Sequence, residues 1–274
     1  MKKGSKLKTI LVAFGIMLLF LAIQLVLGMV GGIIGVLIAG PSIDQQEYLA
    51  SIGPMLTFIS EIVCIAVFGI WYYKGYVKKD KDAGTYVPWT KKIGSFKTIG
   101  FILFFTLGAH FAITIFADVI SMLLPSAAEF FNNLMNTAIG EDNFFGIISV
   151  MLLAPIAEEL AFRGVVLKKT QVAFGAVGCA VISAVMFGIM HLNPLQSLYV
   201  LPMGLMFSYF AIKYNSVIPA IFSHLVNNSI AVIVAYLINR STTTVENIVL
   251  LVAFFGLAFV ITKVKTPQNE SVEC

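Results

Sequence analysis

Three short patterns hold the residues whose types and spacing could do chemistry. Residues 158–163 read EELAFR, residues 187–191 read FGIMH and residues 224–228 read HLVNN. Each lies inside an apolar run, where a charge is costly and is kept for a reason. On a helix, side chains four apart share a face and neighbours diverge by about 100°. Glu159 and Arg163 are therefore partners, and each lowers the cost of burying the other. Glu158 points away from that pair and has no local cation, which leaves it free to exchange a proton. Phe187 shares a face with His191, and His224 shares one with Asn228.

A carboxylate and an imidazole can together take a proton from water. A second imidazole and an amide can donate hydrogen bonds to the oxyanion that forms when a peptide carbonyl is attacked. That is acyl transfer with water as the nucleophile. No serine or cysteine in the patterns looks like a nucleophile, since Ser223 precedes His224 but has no base on its own face. Glu158, His191 and His224 also make a credible zinc shell with one open position. The HExxH spacing is absent, so such ligands would come from three helices. The residues leave a zinc mechanism and a metal-free one both open.

These patterns need helices to position them in oil. The chain has 274 residues, of which 59% are hydrophobic and 12% charged, against about 25% charged in a soluble domain. The reading is an all-α, multi-pass membrane protein. Eight runs are candidate spans, at 10–39, 51–73, 97–124, 144–168, 175–191, 197–212, 217–238 and 247–262, of which the fifth and sixth are short. Gly40-Pro41, the charged stretch 74–97, the polar stretch 125–143, Asn193-Pro194, 214–216 and 239–246 separate them. The organisation expected is three N-terminal spans over 1–143 with a basic loop at 74–97, a catalytic core at 144–238, and a last span with a tail at 239–274. The run after Lys2, Lys3, Lys6 and Lys8 is too long for a signal-peptide core and reads as an uncleaved first span. Its glycines Gly28, Gly31, Gly32 and Gly35 predict a tilt, a kink or a close helix contact. Cys64, Cys179 and Cys274 show no ligand or disulfide spacing.

Charge tests this map. Sixteen of the 18 basic residues fall in the alternate loops that share a side with the N-terminus, and only Arg240 falls opposite. Both termini are then expected in the cytoplasm of a multi-pass cell-membrane protein. This placement also explains the basic balance through topology and lipid, and argues against nucleic acid as a partner. Gln24, Glu61, His110, Asp118 and Asn227 are further polar residues inside spans, read first as interhelical hydrogen-bonding groups. Glu158 and His191 are each about 16 positions, or roughly 24 Å, from a turn expected near Phe174-Gly175. Equal depth suits the chemistry. It also requires either helices that project past Lys168 and Lys169 or a deep cavity.

As a set, EExxxR (Glu158 to Arg163), FxxxH (Phe187 to His191) and HxxxN (His224 to Asn228) resemble the three motifs of the CPBP family of intramembrane proteases. This is the CAAX-protease and bacteriocin-processing family, also called Abi. The resemblance covers about 145–232 and includes SVIPAIFSHLVNN at 216–228. It implies a CAAX-protease-like bundle of about eight transmembrane helices with a cavity inside the membrane. It implies that Glu158 and His191 activate water, that His224 and Asn228 stabilise the oxyanion, and that Glu159 and Arg163 hold the site together. Members are often labelled metalloproteases, while the related CAAX endoprotease looks metal-free. The expected activity is endopeptidase cleavage of a membrane-associated peptide or protein, such as a pheromone, a bacteriocin or a CAAX-like substrate. A non-catalytic scaffold or bacteriocin self-immunity protein on the same fold is the second reading. A proton-coupled transporter using Glu61, His110 and Asp118 is the third.

Overall fold

The computed structural model describes residues 3–41, 44–139, 143–237 and 242–264. Lys2, Arg240, Lys265 and Cys274, which entered the charge and cysteine readings, lie outside the described residues. What is described is helical throughout, with turns between helices and no strand among the described residues.

Helix α1 is Lys3–Ala39, α2 is Gln45–Tyr72, α3 is Phe96–Leu123 and α4 is Pro125–Ile139. A long helical run follows over Phe144–Met190. Then come α7 at Pro194–Lys213, α8 at Ile218–Val232 with a π-helical turn Ile233–Leu237, and α9 at Thr244–Lys263. Side-chain caps fix the entries: Asp44 for α2, Ser95 for α3, Asn143 for the long run, Asn193 for α7 and a Thr243–Glu246 capping box for α9. Seven of these helices are long and apolar enough to cross a membrane, and the chain is a multi-pass membrane protein.

The run Phe144–Met190 counts as one of the seven but folds back on itself. Gly175 has φ 68° and ψ −171°, which breaks the helix in a region essentially reserved for glycine. The two arms, α5 (144–174) and α6 (176–190), then lie side by side. The Ser183 hydroxyl donates to the Phe162 carbonyl at 3.0 Å, and the Phe162 and Phe187 rings meet at 5.5 Å. Eight apolar segments result, and the reversal falls at the turn expected from the sequence. Lys168 bonds the Asn215 side chain, and Lys92 donates to the Asn215 carbonyl at 2.7 Å. From that level the hairpin runs seven residues further to Gly175, about 10 Å. Lys6 stands over the Phe174 ring at that tip, so lysines from separate loops meet at one end of the bundle.

The stretch 125–143 differs from its reading as a polar break, because most of it is the helix α4. Pro125 suits the first turn, and apolar residues recur along one side of a polar helix. Phe131 packs on Tyr199, and Asn193 donates to the Ala127 carbonyl. The loop 74–97 likewise contains short helices at Lys78–Asp82 and Trp89–Ile93.

Helix α1 belongs to the core. Ala13, Ile16, Met17 and Phe20 are buried with Cys64 and Phe68 of α2 and Phe162 of α5. Close contact is the outcome for two of its glycines, since a Cβ on Gly31 or Gly35 would lie 2.4 or 2.6 Å from Leu56 or Ile52, whereas one on Gly28 would meet nothing within 4 Å. On the other flank, α3 packs along α9 through stacked Phe104–Phe254 and Phe111–Phe254 pairs.

Candidate active site

The backbone of α5 is irregular where the charges sit. It passes through a π-helical turn at Ser149–Leu153, an α turn at Ala154–Glu159 and a second π stretch at Leu160–Val166. Pro155 explains the first. It has no N–H for the Met151 carbonyl, and its ring would crowd that carbonyl in a regular turn. A widened turn relieves the crowding. Such insertions in α-helices are frequent at functional sites.

Glu159 is the hub. Its Oε1 accepts from Arg163 Nη1 at 2.7 Å and from His224 Nδ1 at 2.9 Å. Both members of the ion pair are fully buried. Arg163 Nη2 reaches across to the Gly204 carbonyl of α7 at 3.0 Å. The guanidinium lies over Phe187 at 4.6 Å and over Phe207 at 5.3 Å, contacts that favour a desolvated cation. The sequence pairing of Glu159 with Arg163 is present as read. Gly204, Phe207 and the Glu159–His224 bond have no signal in the sequence. A Cβ on Gly204 would lie 3.0 Å from Ala184 and 3.1 Å from Arg163 Nη2, so the position must be small.

His224 connects the hub to Glu158. Because Glu159 accepts at Nδ1, that nitrogen carries the hydrogen and Nε2 faces Glu158 Oε2 at 3.7 Å. Phe207 stacks on the imidazole at 4.5 Å and Phe187 stands perpendicular to it at 5.8 Å. Two aromatic rings thereby pack on the imidazole.

His191 closes the end of α6. Its Nδ1 donates to the Phe187 carbonyl at 2.8 Å, which leaves Nε2 as its free acceptor. Its ring is perpendicular to Phe187 at 4.9 Å, so His191 and His224 meet the same aromatic ring. Among the described residues no hydrogen bond or ion pair joins His191 to Glu158. Asn228 donates to the Val150 carbonyl at 2.9 Å and accepts from Asn227 at 3.0 Å, while Asn227 pairs with His110 at 2.9 Å. One N–H of Asn228 remains for a ligand.

Glu61 accepts from Gln24 at 2.7 Å, whereas Asp118 is exposed. No chain of bonds among the described residues links Glu61, His110 and Asp118 as a relay. Glu158, His191 and His224 were the candidate metal ligands. Among the described residues no group of three His, Cys, Asp or Glu side chains is arranged to hold a metal ion. Each histidine commits Nδ1, to Glu159 or to the Phe187 carbonyl, and keeps Nε2 toward the site. The side chains as placed do not form a three-ligand shell.

Residues 140–230 match the family model described as type II CAAX prenyl endopeptidase Rce1-like. The match covers about a third of the chain and is consistent with the CPBP resemblance. The matched segment contains all seven motif residues, from Glu158 to Asn228, and runs from the start of α5 into α8. A search of curated proteins and a search of solved structures each found no match.

Proposed function

We propose that this chain is an intramembrane endopeptidase that hydrolyses a peptide bond in a membrane-associated peptide or protein, with water activated inside the helix bundle. The observation that carries the reading is the pairing of two adjacent glutamates with one histidine. Glu159 fixes the His224 tautomer, and the same ring turns Nε2 to Glu158.

In this mechanism Glu158 accepts a proton from water as the oxygen bonds the scissile carbonyl carbon. His191 presents Nε2 as a further acceptor for that water. The oxyanion takes a hydrogen bond from the free N–H of Asn228, and from His224 Nε2 when that nitrogen carries a proton. Collapse breaks the C–N bond, and Glu158 returns the proton to the leaving nitrogen. Glu159 and Arg163 position His224 and do not touch the substrate. No step is routed through a metal.

The test is hydrolysis of a quenched-fluorescence peptide ending in a farnesylated CAAX sequence, by purified full-length chain in liposomes. Cleavage by the wild type that is lost in Glu158→Gln supports the reading. Equal rates in both would overturn it. Substrate choice inside the class, including pheromone or bacteriocin precursors, follows from the same assay with those peptides.

A further inference from the structure

Helix α2 presents a third buried carboxyl beside the candidate site. Glu61 is 2% exposed and accepts from Gln24 of α1 with Oε1. Its Oε2 is buried without a protein partner. The hydroxyl of Ser149 in the first π turn of α5 is also buried and unpartnered.

The register of α2 against α5 brings these two oxygens level. The Phe58 and Phe145 rings meet edge to face at 5.2 Å. Glu61 follows Phe58 by one turn on the same face, and Ser149 follows Phe145 by one turn on its face. Further along, Gly69 borders Leu160 and Gly164 borders Tyr72, so the two helices stay parallel. Asn228 bonds Val150, the residue beside Ser149. Cys64, one turn past Glu61 on that face, is buried in one cluster with Phe162 of α5.

A cavity approaches Glu61 from the side of its partner Gln24. Of about 370 Å³, it lies between α1 and α2, lined by Gln24, Thr57 and Ser60 with Gly28, Gly32 and Gly53. Its polar end is at Gln24 and Ser60, beside Glu61. Buried polar atoms without protein partners are met by water where the space is polar and open to it.

We propose that Glu61 is a positioning residue of the hydrolytic site, held by Gln24, whose free oxygen joins Ser149 in binding the water that supplies Glu158. This rests on the hydrolase reading above. The free carboxylate oxygen accepts a hydrogen from such water and so orients it, whereas an amide nitrogen at the same place would donate instead.

The test uses the full chain in liposomes with the farnesylated peptide. Glu61→Gln keeps the shape and can still accept from Gln24, so a purely structural Glu61 tolerates it. The expected result is a kcat lower by about tenfold or more with KM changed less than about twofold. The double variant Gln24→Glu with Glu61→Gln moves the carboxyl to the facing helix and is expected to recover part of the lost kcat. Glu61→Gln with wild-type kcat overturns the proposal while Glu158→Gln still tests the hydrolase reading.

A second measurement does not depend on cleavage. Thr57→Cys is expected to react with a charged, membrane-impermeant thiol reagent beyond the parent chain, whose Cys64 and Cys179 are buried. That labelling is expected to slow when Glu61→Leu is added. Labelling that is absent, or indifferent to Glu61, overturns the water-binding role even if the wild type leaves the peptide intact.

Discussion

Glu159 and His224, 65 residues apart in sequence, meet at 2.9 Å inside the bundle. The bond orients the imidazole and joins α5 to α8. Removing either partner therefore disturbs geometry rather than only one contact. His224→Ala is expected to lower kcat by about 10²- to 10³-fold, the cost typical of an oxyanion-hole donor. Initial rates in liposomes check this, with circular dichroism confirming that the helices remain.

Glu159→Ala strands a buried guanidinium, and Arg163→Ala strands a buried carboxylate. Each is expected to destabilise the fold by about 3–5 kcal/mol. Thermal unfolding in detergent and membrane abundance report it. An Arg163→Ala chain that accumulates and melts like the wild type would show that the pair does not brace the site.

Gly204→Val tests how closely α7 must approach. The side chain would press on Ala184 and on Arg163, both rigidly placed. A loss of about 1–3 kcal/mol is expected, as for overpacking elsewhere, together with lost activity because Arg163 must move. The same unfolding assay, with rates measured alongside, checks both parts.

Gly175→Ala probes the hairpin tip. Its backbone region costs a residue with a side chain about 1–3 kcal/mol. A lower melting temperature with kcat retained is expected, since the tip lies seven residues beyond Lys168 and away from the charges.

Chelation tests the metal-free mechanism. Treatment with EDTA or phenanthroline is expected to leave the rate unchanged, and elemental analysis to find no stoichiometric zinc. Loss of activity that zinc restores would contradict the metal-free mechanism and point to ligation through Nε2 of His191 and His224.

The membrane spans were legible because each is an apolar run of the right length bounded by turn residues or charge. The Glu159–Arg163 pair was legible because helical spacing alone creates it. The turn at Gly175 followed from the spacing of Glu158 and His191. Contacts between distant segments were not legible. Nothing in the run around Gly204 says that its carbonyl meets an arginine 41 residues earlier. Phe207 reads as one more apolar residue until its ring is seen on His224. The π turns escaped because sequence periodicity assumes a regular helix, and Pro155 breaks that assumption beside the site. Helix α4 was missed because its polar side outweighed its apolar one in composition. Glu61 read as interhelical glue, which its bond to Gln24 supports, yet its second oxygen and its place beside α5 were invisible.

The most direct test of the central claim compares the membrane proteomes of cells carrying the wild-type chain or Glu158→Gln at matched abundance. The account predicts at least one membrane peptide or protein whose processed form disappears in the variant while its precursor accumulates. Identical processing across growth conditions, in cells where deleting the whole chain still gives a phenotype, would contradict hydrolysis and favour a scaffold.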